Sequence, residues 1–85
     1  MIDTALKKYY VYCLYSISHD RLYIGQTDNI ERRLKQHESG KAPSTKPYLP
    51  VRVVHIEELD SREKAVQRER ELKSSNGRRF LRDLL

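Results

Sequence analysis

The 85-residue chain has one cysteine, one methionine, no tryptophan, three glycines and three prolines. Cys13 alone allows no internal disulfide and no cysteine-based zinc site. Its place in an apolar segment reads as a small buried hydrophobe rather than a reactive thiol. No stretch approaches the roughly 20 apolar residues of a membrane span. Met1 to Lys8 lacks the apolar run of a secretory signal and reads as a frayed lead-in. The glycines make no phosphate-binding loop, and His19, His37 and His55 make no zinc pattern. No Ser-His-Asp or Cys-His arrangement stands out. Without repeats, low-complexity tracts or linkers, one domain over residues 1–85 is expected, in a reducing cytoplasmic setting.

Two things are plentiful. Charged residues make up 34% of the chain, with a formal net charge of +5, which suits a polyanionic partner such as nucleic acid or an anionic surface. Five of the six tyrosines crowd into two segments, Tyr9-Tyr10-Val11-Tyr12-Cys13-Leu14-Tyr15 and Leu22-Tyr23-Ile24-Gly25. A chain this short has a modest core, so any site should be shallow rather than enclosed.

Taken in order, Tyr9 to Ser16 reads as a strand with Tyr10, Tyr12 and Leu14 on one face. Tyr9, Val11, Cys13 and Tyr15 share the other face, so the strand should be central. Ser18 to Arg21 suits a hairpin turn, and Leu22 to Gln26 returns as the second strand. Gly25 marks a bend or a close approach. Asp28 is the expected N-cap of a helix from Asn29 to about Ser39, ended by Gly40. On that helix Ile30, Leu34 and His37 form one stripe, with Arg33 at its border. Residues 41–50 read as an irregular loop. Val51 to Glu57 is a third strand, with Val51, Val53 and His55 on one face and Arg52, Val54 and Ile56 on the other. A second helix, capped by Asp60 or Ser61, should run to about Ser74 with Ala65, Val66 and Leu72 inward. Ser75-Asn76-Gly77 should break it, and a short final helix, Arg78 to Leu85, should pack Phe80, Leu81, Leu84 and Leu85.

Glu69 falls in the apolar sector of the second helix, where a carboxylate is costly unless paired or bound to a metal. It could salt-bridge to Arg33, Arg62 or Lys73, or reach solvent. The less favoured reading from position alone is a lone ligand to a hard cation such as Mg²⁺, which keeps several waters. Arg33 and His37 stand at i, i+4. They read either as a solvated arginine and a satisfied core histidine, or as a phosphate clamp and a proton relay. Tyr10, Tyr12 and Tyr23 could be packing residues. Tyr12 and Tyr23 could also meet across the hairpin, where a phenol near an arginine and a metal could have its pKa lowered enough to take a proton from water.

Together these residues resemble the GIY-YIG nuclease superfamily, and the match spans about Tyr9 to Leu85. Tyr10-Val11-Tyr12 and Tyr23-Ile24-Gly25 resemble its paired motif, although Tyr10-Val11 stands where Gly-Ile gives the family its name. Gln26-Thr27-Asp28-Asn29 with Arg33 and His37 resembles the next motif, and Glu69 the later acidic position. The small stand-alone members are the nearest likeness; the nuclease domain of the excision-repair incision enzyme is more distant. The resemblance implies an α+β fold, a three-stranded antiparallel sheet flanked by helices. It implies a DNA endonuclease using one Mg²⁺ or Mn²⁺ ion held by Glu69. Tyr12 or Tyr23 would activate or orient water, Arg33 would stabilise phosphate charge, and His37 would assist proton transfer or bind phosphate. Gly25, Asn29 and Asn76 would support the site.

With no attached recognition domain, affinity for DNA should rest on phosphate contacts and show little sequence preference. Arg32, Lys35, Lys41, Lys46, Arg78 and Arg79 are the candidates for those contacts. Repair and recombination are the pathways such an enzyme would serve, as a monomer or weak oligomer. The alternatives are a nucleic-acid-binding module with the same fold and little catalysis, or a nuclease subunit that needs a partner protein for substrate choice.

Overall fold

The computed structural model describes residues 7–85, so most of the expected lead-in lies outside the described residues. Three strands form one antiparallel sheet: β1 (Tyr9–Ser16), β2 (Arg21–Thr27) and β3 (Val51–Leu59), in the order β2-β1-β3. Three helices flank it: α1 (Ile30–Glu38), α2 (Arg62–Lys73) and α3 (Ser75–Arg82). The fold is α+β, as the sequence predicts. The central position of β1 follows from its having apolar groups on both faces.

Strand alternation divides the molecule. Val11 and Cys13 of β1, with Leu22 and Ile24 of β2, turn to one face and form a core with Ala65, Leu72 and Leu81 of α2 and α3. Cys13 is buried there, and burial pushes its thiol up to about 11. Tyr12, Tyr23 and Gly25 turn to the other face, where α1 lies.

The register explains one departure from the sequence reading. Cys13 pairs with His55 but Leu14 pairs with Val53, so β3 carries one extra residue there. This bulge resets the alternation. Val54 packs against the helix-side core, while Val53 and Ile56 are each 42% exposed. Val53 and His55 therefore do not share a face as expected.

Three more expectations are corrected. The α1 N-cap is Asn29, whose side chain accepts from the Arg32 N–H, whereas Asp28 pairs with Lys7. The break between α2 and α3 falls at Ser74, whose hydroxyl accepts from Gly77 N–H; Asn76 and Gly77 lie inside α3. Gly77 serves close packing, since a Cβ there would overlap the backbone of Glu71 and Leu72. Of the C-terminal apolar residues only Leu81 is buried, and Val66 is outward. Phe80 lies on the outer side of α3, and Leu84 and Leu85 follow its last residue, Arg82.

Candidate active site

The site grows from the glycine of β2. A Cβ at Gly25 would lie 2.7 Å from the Tyr12 hydroxyl and 3.1 Å from the Tyr23 ring. Gly25 sits opposite Tyr12 across the antiparallel pair. Its missing side chain is the space the Tyr12 phenol fills. The Tyr12 and Tyr23 rings are 6.3 Å apart, and the His37 ring is 5.2 Å from Tyr23.

Helix α1 brings two polar groups to that phenol. Arg33 Nε donates to the Tyr12 oxygen at 3.4 Å, and His37 Nε2 is 2.9 Å from it. One helical turn separates the two residues, so both reach the same hydroxyl. His37 is fully buried, and its Nδ1 lies 2.6 Å from Thr45 Oγ1. The arrangement is satisfied when Nδ1–H donates to Thr45 and Nε2 accepts the Tyr12 O–H. Arg33 Nη1 is steadied by Gln36 Oε1 at 2.9 Å. Among the described residues, no buried side-chain nitrogen or oxygen lacks a partner.

Burial lowers the His37 pKa, and the Arg33 charge lowers it further, so the imidazole is held neutral and able to accept a proton. Burial raises the Tyr12 phenol, with the Arg33 hydrogen bond opposing it. Without a metal ion, desolvation outweighs the guanidinium at this phenol. Tyr12 is buried, whereas Tyr23 is partly exposed and is the phenol that solvent meets.

Glu69 stands apart from this cluster. It lies on the sheet-facing side of α2 between Ala65 and Leu72, on the helical face of the sheet. Its Oε1 accepts from Gln26 Nε2 at 2.8 Å, and its Oε2 is 2.7 Å from Lys73 Nζ. Gln26 pairs with Val11 and points to that same helical face. Tyr23 and Glu69 thus face opposite sides of β2, so the expected set of five is not gathered on one face. A groove of about 290 Å³ follows that edge and is lined by both Tyr23 and Lys73. Among the described residues, no three His, Cys, Asp or Glu side chains converge. One hard carboxylate suits a cation that keeps waters and takes its other ligands from a substrate phosphate.

The remaining expected residues are dispersed. Arg32, Lys35 and Lys41 line a shallow concavity of about 610 Å³ on the outer side of α1. Arg78 lines the β2-edge groove, while Lys46 and Arg79 are exposed elsewhere. Asn76 lines a different depression with Arg68, Glu71 and Phe80. Asn29 acts as the α1 cap. Thr45 and Gln26 had no assigned role in the sequence reading. The available signal was His37 itself: a core histidine needs partners for both ring nitrogens, and the following loop is rich in hydroxyls.

Residues 8–82 match the GIY-YIG catalytic domain. The chain belongs to the GIY-YIG family. It is similar to small relatives known as UPF0213 proteins. One from Natronomonas pharaonis is 46% identical over 67 residues, covering 78% of each chain. One from Syntrophus aciditrophicus is 46% identical over 70 residues, covering 80% of this chain and 79% of that one. The solution structure of a UPF0213 protein from Bacillus halodurans is 35% identical, with a TM-score of 0.55 over 91% of this chain and 84% of that one. GIY-YIG membership gives the protein a nuclease-like role, and divalent metal ions are general to such nucleases. Among the described residues, no helix is long and apolar enough to cross a membrane.

Proposed function

We propose that the protein, as a single domain, is a metal-dependent DNA endonuclease that hydrolyses phosphodiester bonds with little intrinsic sequence specificity. One observation carries this reading: a buried His37 bonded to the Tyr12 phenol, which also accepts from Arg33 beside Tyr23. Tyr23 orients the attacking water at the solvent side. Tyr12 and His37 behind it take up the proton, with Thr45 holding the imidazole tautomer. Arg33 offers its remaining N–H donors to charge developing on the phosphate. Glu69 is the residue that would hold Mg²⁺ or Mn²⁺, which when bound polarises the phosphate and assists the leaving oxygen. For this, the Lys73 ammonium must leave Glu69 Oε2. Arg32, Lys35 and Lys41 bind flanking backbone, with Lys46 and Arg79 adding to the field.

That same Lys73 contact favours a second reading, a DNA-binding module with little catalysis, because it already neutralises Glu69. One assay separates the two. Single-stranded, duplex and branched DNA are incubated with the protein in Mg²⁺, Mn²⁺ or EDTA, beside Glu69→Ala and Tyr23→Phe. The nuclease reading expects metal-dependent cleavage that slows at least about a thousandfold in Glu69→Ala, equivalent to several kcal/mol of barrier. Equal cleavage by both proteins sinks the assigned mechanism. Retention of DNA without cleavage on any substrate establishes the binding module.

A further inference from the structure

We propose that the groove along the β2 edge is a second phosphate site, with Arg21 and Arg78 as its cationic walls. It would seat the strand phosphate next to the one that is cut. The inference rests on the nuclease reading, because Tyr23 lines this groove as well as the reaction site.

The groove encloses about 290 Å³, and its walls include Arg21, Tyr23, Ser44, Tyr48, Lys73 and Arg78. No carboxylate lines it. Three arginines are paired with carboxylates: Arg32 with Asp28, Arg68 with Glu57 and Glu71, Arg82 with Asp20. Arg21 and Arg78 have no acidic partner among the described residues.

Both guanidiniums are nevertheless held in place. Arg21 lies over the Tyr48 ring, 4.6 Å from its centroid, and His19 meets the same ring edge-on at 5.2 Å. Stacking fixes the guanidinium plane without consuming its N–H donors. Arg78 Nε donates to the Lys73 carbonyl at 3.0 Å, which leaves its two amino groups for another acceptor. Two positioned guanidiniums at one concavity, without a counter-charge, repel each other and gain when an anion enters. Their planar forks match phosphate oxygens better than an ammonium does. Ser44 adds a hydroxyl at the same wall. Arg21, Leu22 and Tyr23, successive residues of edge strand β2, all line the groove, so an anion held there lies beside Tyr23, as the neighbouring phosphate of a bound strand would.

The test measures binding of a short labelled single-stranded DNA to the whole protein over a salt series, without metal. Arg21→Gln, Arg78→Gln, their double variant and Lys35→Gln on α1 are compared, each checked for native circular dichroism. Each groove substitution should reduce the slope of log affinity against log salt by about 0.7, the value per phosphate contact on a single strand. The double variant should lose about twice that. Tyr48→Leu, which keeps the Arg21 charge but removes its platform, should weaken binding in the Arg21 background of wild type and have no effect when Arg21 is already Gln. Wild-type binding with an unchanged slope in the double variant overturns the groove while leaving the nuclease reading standing. Absence of any DNA binding overturns both. Inorganic phosphate displacing the oligonucleotide as well as an equal concentration of oligonucleotide phosphate would make this a free-anion pocket and overturn the strand assignment.

Discussion

The two faces of the sheet are built from the same strands and hold together by different physics. On the helical face, Val11, Cys13 and Ile24 meet Ala65, Leu72 and Leu81, and cohesion comes from removing apolar surface from water. On the α1 face, Tyr12, Arg33, His37 and Thr45 are joined by directional hydrogen bonds. Apolar packing tolerates small shifts with gradual loss. A buried polar network is costly as soon as one partner is missing. The first face should therefore govern stability and the second the chemistry, with the β2 edge as the place where they communicate.

The largest separation should come from Leu81→Ala. Leu81 is fully buried, so the variant should lose about 2–5 kcal/mol in urea unfolding. Cleavage per folded molecule should stay unchanged. Gly25→Ala should act on the chemistry as well as on stability. Its Cβ displaces the Tyr12 phenol, and a shift of that kind should slow cleavage about a hundredfold, or about 2.7 kcal/mol of barrier. A fully active Gly25→Ala would break the claim that the glycine makes room for that hydroxyl.

Thr45→Val keeps shape but removes the partner of His37 Nδ1, and should cost about 1–3 kcal/mol of stability together with part of the activity. Thr45→Ser should restore both. If the serine and valine variants behave alike, the hydroxyl does not hold the imidazole.

The smallest effect is a pH dependence. The His37 pKa is lowered by burial and by Arg33, so the unfolded chain takes up the proton first as pH falls. Stability should be full above about pH 6.5 and decline as pH falls from there through the depressed native value. Urea midpoints between pH 7 and 5 should show this slope, and His37→Gln should flatten it. The carboxylates with lowered pKa values, such as Asp20 and Asp60, lose their contributions only below about pH 4, outside that window.

Much of this architecture was legible beforehand. The Tyr9–Ser16 strand, the hairpin and the spacing of Arg33 and His37 follow from local period and turn chemistry, and the structure follows them closely. The misreadings arise where tertiary contact overrides local pattern. Asp28 and Asn29 are both good caps, and pairing of Asp28 with Lys7 accompanies capping by Asn29. Asn76-Gly77 looks like a helix terminator, yet the glycine is needed where α3 presses on α2. For Glu69, the helical wheel identified a carboxylate turned to the sheet, and Lys73 was among its expected partners. Which side of the sheet it reached depended on how α2 crosses the strands, a long-range property that spacing does not encode.

The extra residue in β3 has a consequence for how copies of this protein behave toward one another. β3 is a nine-residue edge rich in valine and isoleucine, the kind of surface that templates strand-to-strand aggregation. The irregularity at Val54 interrupts the regular register that a second copy would need. Arg52, Glu57 and Glu58 add charge along the same strand. What redirects a few side chains inside one molecule thus also works as colloidal protection, and Val54 is the position where a straightened edge would first make the protein sticky.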